Sequence, residues 1–260
     1  MPSTVALTRE PSASLADCEL SHIDRRPIDI SVARRQHAAY RKALTAAGAD
    51  VVVLPALDAL PDAAFVEDTA VVLDEIAVLG VLGVESRAAE TEAIVSELER
   101  HRPVSRLTSP GATLEGGDVL RVGRTLYVGR SARSNDAGIA SLRGLVEPLG
   151  YVVRVVPLEG CLHLKTACTC AGDGIVLLNP AWVDGRVFER DGLRVLAVDP
   201  SEPWAANVLL VGRALIVPAG NPVTTGRLTR AGLQPVEVAI GEFQKAEAGL
   251  SCLSLLIPRT

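Results

Sequence analysis

The sequence predicts an α/β protein of five pseudo-repeats arranged around a central channel. Three observations carry that prediction. A hairpin of two short β-rich runs joined by a tight polar turn recurs at least four times. Segments of helical spacing lie between the hairpins. The interval between hairpins averages roughly forty to fifty residues, the period of propellers and arrays.

The elements follow in order. The first helix is ISVARRQHAAYRKALTAAG from Ile30, with Gly48 as its C-terminal stop, and VVVLPALD after it is a strand leading inward. TAVVLDEIAVLG at Thr69 is a hairpin turning on Asp-Glu. ESRAAETEAIVSELERH, from Glu85 to His101, has the spacing of a helix in which Ala88, Ile94, Val95 and Leu98 share a face. GDVLRVGRTLYVG at Gly117 is the second hairpin, turning on Gly-Arg. NDAGIASLRGLVEPLG from Asn135 opens on an asparagine cap, and YVVRVVPLE is the next inward strand. ACTCAGDGIVLLN at Ala167 and NVLLVGRALIVP at Asn207 are the third and fourth hairpins. LSCLSLLIP at Leu250 is a fifth half-unit, and STVALTRE at the other end of the chain supplies its partner, which closes a ring. Prolines such as Pro110, Pro180, Pro218 and Pro222 fall at loop-like places, and no linker divides the sequence, so residues 1–260 read as one domain. Repeated hairpins also build sandwiches and doubly wound sheets.

Composition narrows the function. The chain has 26 Lys plus Arg against 31 Asp plus Glu, a net charge of -5, which disfavours binding to phosphate backbones and suits a small cationic ligand. Aromatic residues are 3% of the chain, too few for stacking on bases. The most apolar stretch, Val208 to Val217, is cut by Gly212 and Arg213 and is too short to span a bilayer. The start, with Arg9, Glu10 and Asp17, does not read as an export signal. Five cysteines, an odd set spread along a chain of ordinary domain size, point to a reducing compartment, hence the cytoplasm.

Ionisable residues inside apolar strand contexts are the outliers that need partners or a function. Glu67 and Asp68 interrupt AAFVEDTAVV just before a hairpin, a pattern that also suits a turn or a cap. In ATLEGGDVLRV, Glu115 precedes two glycines that permit close backbone approach, with Asp118 following. In EGCLHLKTACTC, His163 alternates with Leu162 and Leu164, so its imidazole is expected on the face opposite the leucines. Cys161, His163, Cys168 and Cys170 invite a zinc reading, but the single-residue gap between the last two cysteines is unlike a structural zinc knuckle. Cys252 lies in a run expected to be a strand opened by Gly249, where a buried cysteine is commonly a small hydrophobe. The coexistence of one cysteine, one histidine and two acidic clusters at equivalent ends of the hairpins raises the catalytic reading, since a Cys/His pair need only meet in space.

The stretches PDAAFVEDTAVV, ATLEGGDVL, YVGRSARSN, LHLKTACTCAG and GLSCLSLLI, in this order and spacing, resemble the pentein superfamily of guanidino-group-modifying enzymes, and within it the dimethylarginine dimethylaminohydrolase family, over nearly the whole chain. The resemblance implies a five-fold pseudosymmetric α/β propeller, the pentein fold, of ββαβ-type repeats. It implies Cys252 as nucleophile, His163 as general acid/base and Glu115, with Asp68, as the carboxylates that hold a guanidinium. It further implies Asp62, Glu67, Phe65, Arg87 and Arg133 around the rest of the substrate, with the arginines on its α-carboxylate and the backbone carbonyls of Leu20 and Ala246 on its α-ammonium.

The implied reaction converts an N-omega-methylated arginine to citrulline through a cysteine thiouronium intermediate. It needs no metal or organic cofactor, and zinc on the Cys/His pair would be adventitious. Family members are monomers or homodimers. Two alternatives stay open: a hydrolase or deiminase of another guanidino or ureido amino acid such as arginine, and a non-catalytic binding protein on the same fold.

Overall fold

The computed structural model describes residues 4–172 and 174–259; Ser3 of the expected first strand and Asp173 of the third turn lie outside the described residues. Among the described residues fifteen strands form five sheets of three. Strand β1 (Thr4–Arg9) runs parallel to β2 (Asp50–Leu54), with the helix Ile30–Ala46 crossing between them. The next four sheets repeat one plan: β3 (Ala70–Val72), β4 (Ala77–Leu79) and β5 (Val104–Arg106); β6 (Val119–Val122), β7 (Thr125–Arg130) and β8 (Val152–Pro157); β9 (Cys168–Gly172), β10 (Ile175–Leu178) and β11 (Arg194–Ala197); β12 (Leu209–Val211), β13 (Ala214–Pro218) and β14 (Pro235–Val238). In each, the first two strands are an antiparallel hairpin, and the third returns parallel to the second. The plan is completed by β15 (Leu255–Pro258), which pairs antiparallel with β1 in the register Leu7↔Leu255 and Thr4↔Pro258. The two ends of the chain thus build the fifth blade together, and the ring closes as the sequence predicts.

The apolar side chains bury themselves between neighbouring blades, in five clusters. Val5, Leu7, Leu79, Leu255 and Ile257 fill the first gap. Val71, Val78, Val119 and Leu126 fill the second, and Tyr127, Val176 and Phe188 the third, where the two rings meet at 4.7 Å. Leu177, Val208 and Leu215 fill the fourth; Ala6, Leu209, Ile216 and Leu250 fill the fifth. Each fully buried aliphatic side chain contributes about 1.5–3 kcal/mol, so every blade is held by two neighbours. Among the described residues, no helix is long and apolar enough to cross a membrane.

Both expected helix boundaries are present. Asn135 caps the helix Asp136–Val146 by accepting from the Gly138 amide, and Gly48 follows the helix Ile30–Ala46 with φ 91°. The helix expected from Glu85 to His101 is instead three short pieces, Glu85–Arg87, Ala88–Glu92 and Val95–Leu98. Ile94 and Leu98 face the core as expected, but Ala88 is exposed, and Arg87 and Glu90 are drawn inward in place of apolar residues. At the break the Ala93 carbonyl accepts from the Arg9 guanidinium at 3.0 Å, a bond that compensates for interruption of the helical ladder. Pro222 is not in a loop; it opens the helix Pro222–Arg230, where its missing N–H costs no bond.

One helical turn precedes the first strand of every hairpin: Val66–Thr69, Gly116–Asp118, Leu164–Ala167, Pro203–Ala206 and Ser251–Leu253. Neighbouring turns touch one another, and Asn207 closes the circle by bonding to Ser251. This ring of turns carries the chemistry.

Candidate active site

The ring collects its polar side chains from all five blades. Glu67 and Asp68 lie on the first turn and Glu115 immediately before the second; His163 caps the third, Asn207 follows the fourth, and Cys252 lies on the fifth. All six are buried. Cys252 is therefore not in a strand, as its sequence context suggests. Its turn is seated because Gly249 packs directly on Asn207, where an added Cβ would lie 2.2 Å from that side chain. Nor does His163 alternate with its leucines across a strand. It is extended just ahead of a helical turn, and Leu164 is as buried as the imidazole.

Two glycines make the acidic cluster possible. A Cβ on Gly116 would fall 2.0 Å from the Glu67 carbonyl oxygen, so the first two turns approach as only glycine allows. A Cβ on Gly117 would lie 2.7 Å from both Asp68 Oδ1 and His163 Nδ1. That missing atom leaves a gap in which the carboxylate faces the imidazole at 3.8 Å.

Around the gap the hydrogen bonds are specific. His163 Nε2 lies 2.7 Å from Glu115 Oε2, while Glu115 Oε1 accepts from the Gly83 amide at 2.8 Å and the Arg133 guanidinium at 3.3 Å. Asp68 Oδ2 accepts from Arg87 at 2.9 Å, and Arg87 is held on its other edge by both oxygens of Glu90. Asp118 accepts from the Leu164 amide at 2.9 Å and from the Ser131 hydroxyl at 2.6 Å, which fixes the backbone beside His163. Asp68 Oδ1 alone in this group is buried with no hydrogen-bond partner among the described residues.

These contacts set the charges. Burial opposes the imidazolium, yet Asp68, the bond to Glu115 and the charge of Asp118 outweigh it and raise His163 above its usual range. Burial alone would raise Glu115; His163, Arg87 and Arg133 instead hold it well below the usual carboxylate range. Burial, reinforced by the charges of Glu67 and Asp68, pushes the Cys252 thiol up, against the opposing effects of the Gly249 amide, which donates to Sγ at 3.4 Å, and Lys165. The resting pair is thus a neutral thiol and a charged imidazole. A cation placed against Asp68 would offset the part of that upward push that comes from the Asp68 charge.

A second network lies on the same ring. Glu67 takes the Lys165 ammonium on one oxygen and the Ser251 hydroxyl on the other at 2.6 Å; Asn207 accepts from the Ser251 amide at 2.9 Å and donates to the Lys165 carbonyl at 2.9 Å. Glu67, Lys165 and Ser251 also line a cavity of about 390 Å³ whose remaining walls include strand residues such as Val71, Leu120 and Leu210. They therefore form a floor between the turns and that cavity.

The other expected residues sit at the rim. Asp62 is buried and accepts from the Glu19 amide at 3.1 Å; burial raises its pKa, against the effect of Arg87. Phe65 and Ala246 are buried in the cluster that contains Cys252, and Leu20 packs on it, half-buried. Arg133 reaches Ser21, next to Leu20, at 3.4 Å. Sequence reading assigned no role to Lys165, Asn207, Ser251 or Glu90. Asn207 and Ser251 had a legible signal, since each stands at the start of a β-run; Lys165 and Glu90 are ordinary polar residues of helical segments.

Asp68, Glu115 and His163 offer ligand atoms within 4.8 Å of one another, a grouping that could hold a metal ion. The Arg87 and Arg133 guanidinium groups already bring positive charge to the same carboxylates, which works against a second cation of high charge density. Among the described residues the four of the zinc reading form no metal-holding group: the Cys161 thiol donates to the His163 carbonyl oxygen at 3.5 Å, while the imidazole faces Glu115.

Comparison with known proteins gives a consistent picture. The family described as N,N dimethylarginine dimethylhydrolase, eukaryotic, matches residues 16–176. The N(G),N(G)-dimethylarginine dimethylaminohydrolase of Streptomyces coelicolor is 42% identical over 257 residues, covering 98% of this chain and 97% of that protein. The structure of the Pseudomonas aeruginosa enzyme, a cysteine-to-serine mutant complexed with citrulline, is 33% identical with a TM-score of 0.91, covering 99% of this chain and 100% of the other. A dimethylarginine dimethylaminohydrolase with histidine changed to glycine, solved as an adduct with S-methyl-L-thiocitrulline, gives a TM-score of 0.92 at 33% identity over the same shares.

Proposed function

Because this chain belongs to the dimethylarginine dimethylaminohydrolase family, we propose that it hydrolyses N-omega-methylated arginine, both asymmetric dimethylarginine and monomethylarginine, to citrulline and dimethylamine or methylamine. The observation that carries the reading is Asp68 Oδ1, a buried carboxylate oxygen with no hydrogen-bond partner among the described residues, facing His163 across the gap at Gly117. A buried acceptor left unpaired costs about 1–3 kcal/mol, more when charged. A planar guanidinium, with several N–H donors and a permanent charge, satisfies it.

In this reading Asp68 and Glu115 accept N–H groups of the substrate guanidinium. On binding, Arg87 and Arg133 give up their bonds to Asp68 and Glu115, which the guanidinium replaces, and take its α-carboxylate; the carbonyls of Leu20 and Ala246 take its α-ammonium, with Asp62 and Phe65 shaping that end. The bound cation favours the Cys252 thiolate; its proton is released to solvent, since His163 is already protonated, and the thiolate attacks the guanidine carbon. The His163 imidazolium gives its proton to the departing amine as the C–N bond breaks, leaving a thiouronium on Sγ. Neutral His163 then takes a proton from water as that water attacks the same carbon. The C–S bond breaks as the adduct's hydroxyl gives up its proton, citrulline leaves, and that proton restores the Cys252 thiol while His163 keeps the one it took from water. Glu67, with both oxygens engaged, supports the floor of the site. The nucleophile must be a reduced thiol, which supports a cytoplasmic location.

The test is a citrulline assay on asymmetric dimethylarginine, beside the Cys252→Ser protein, with intact mass after acid quench. Citrulline with a covalent adduct on the unaltered protein alone is the expected result. Product from another guanidine but none from dimethylarginine would move the substrate, and silence on every guanidine would overturn the reading.

A further inference from the structure

We propose that Glu247 is a positioning residue for this reaction: its carboxylate clamps the segment Ser21–Ile23 over the amino-acid end of the substrate and ties that segment to the turn carrying Cys252. The inference rests on the hydrolase reading for its catalytic meaning and on geometry of its own for the clamp.

Glu247 is buried, and its two oxygens accept from three consecutive backbone amides, those of Ser21, His22 and Ile23, across more than two hundred residues of sequence. Ser21 and His22 are themselves exposed, so a surface strand of backbone is gripped by one carboxylate from below. Further ties run the same way: Lys245 donates to the Pro27 carbonyl at 3.0 Å, and Glu242 accepts from the Asp29 amide at 2.9 Å.

The backbone at Glu247 marks the position. Its φ of 58° makes it the only non-glycine residue with positive φ among those described. Left-handed backbone is strained for a residue with a Cβ, and glycine would relieve it. Strain of this kind persists where the side chain is needed. What the side chain supplies here is the acceptor for three amides that have no other hydrogen-bond partner among the described residues.

Two paths lead from the clamp to the reacting groups. Through Ser21, whose hydroxyl meets Arg133 at 3.4 Å, it reaches Glu115 and then His163. Through its own chain it flanks Ala246 on one side and, two residues on, Gly249, whose amide donates to Cys252 Sγ. Closing Ser21–Ile23 therefore fixes Leu20 and Ala246, the two carbonyls assigned to the α-ammonium, relative to the nucleophile.

Hydrogen–deuterium exchange, read without substrate, tests the clamp separately from the activity. In Glu247→Gly, which keeps the backbone conformation and removes the carboxylate, amides of Ser21–Ile23 should exchange at least about tenfold faster, and KM for dimethylarginine should rise about tenfold with a smaller change in kcat. Glu247→Gln, close in size, should fall between that variant and the unaltered protein in both readings. Unchanged protection in both variants would overturn the clamp; lost protection with unchanged KM would overturn its positioning role. An inactive unaltered protein would fault the hydrolase reading and leave the exchange result standing.

Discussion

Glu115 Oε2 and His163 Nε2 lie 2.7 Å apart with both side chains buried, and the carboxylate is one of three that keep the imidazole charged. His163 is raised to about 9, against burial, by Asp68, Glu115 and Asp118. Protonation of the leaving amine needs the imidazolium, so the rate of adduct formation should fall as pH rises through that value. Glu115→Gln removes one of the three charges and leaves a neutral amide oxygen in place of the charged acceptor. Its alkaline limb should move toward neutrality, and kcat should drop about 10²–10⁴-fold. A pH profile of kcat/KM for both proteins checks this; an unmoved limb would show that Glu115 does not set the imidazole's charge.

Separating the two half-reactions isolates the nucleophile from its proton carrier. Cys252→Ser should abolish turnover while leaving the fold intact, because the change removes little volume. His163→Gly should form adduct slowly and hold it, since no base remains for water. Intact mass over a time course reads both, and normal citrulline release from the glycine variant would remove His163 from the mechanism.

The two adjacent glycines should fail differently. Gly116→Ala sets a methyl group 2.0 Å from a backbone oxygen of the neighbouring turn, which cannot rotate away, and should cost about 1–3 kcal/mol of stability or more. Gly117→Ala places its methyl 2.7 Å from Asp68 Oδ1 and His163 Nδ1, both side-chain atoms, and fills the gap proposed for the guanidinium. The second variant should therefore keep most of its thermal stability and lose activity. Equal melting losses in the two would contradict this division.

How much of this was legible follows from which signals are local. The hairpins show as paired β-rich runs around a polar turn within a dozen residues, and β15 pairing with β1 follows from counting half-units, so the ring could be read directly. The turns that carry the site share no residue type: VEDT, GGD, LKTA, PWAA and SCL occupy equivalent places. Without a common pattern, Cys252 reads as part of the strand that follows it. Glu247 is illegible for the opposite reason, since left-handed backbone is signalled by glycine and here the residue is not one. The pairing of Asn207 with Ser251 is set by two blades meeting, which no local window contains. Asp68, Glu115, His163 and Cys252 were legible as a set because each is a polar residue at the edge of an apolar run, and their order matched a known family.

His37 gives a prediction outside the site. It is fully buried between Tyr40 and Phe243, with neither ring nitrogen hydrogen-bonded among the described residues. Burial, with a smaller effect from Arg41, pushes its pKa down to about 3. An unfolded histidine titrates near 6.5. Between these values the unfolded chain binds the extra proton, so the contribution to stability is complete above about pH 6.5 and declines as the pH falls toward about 3, by about 1.4 kcal/mol for each pH unit. His37→Leu removes that proton uptake and the two unpaired nitrogens together. Its melting temperature should match or exceed that of the unaltered protein at pH 7 and fall less steeply between pH 6.5 and pH 5. Melting curves across that window decide it: the same acid slope in both proteins would mean that His37 is not what makes the fold sensitive to acid.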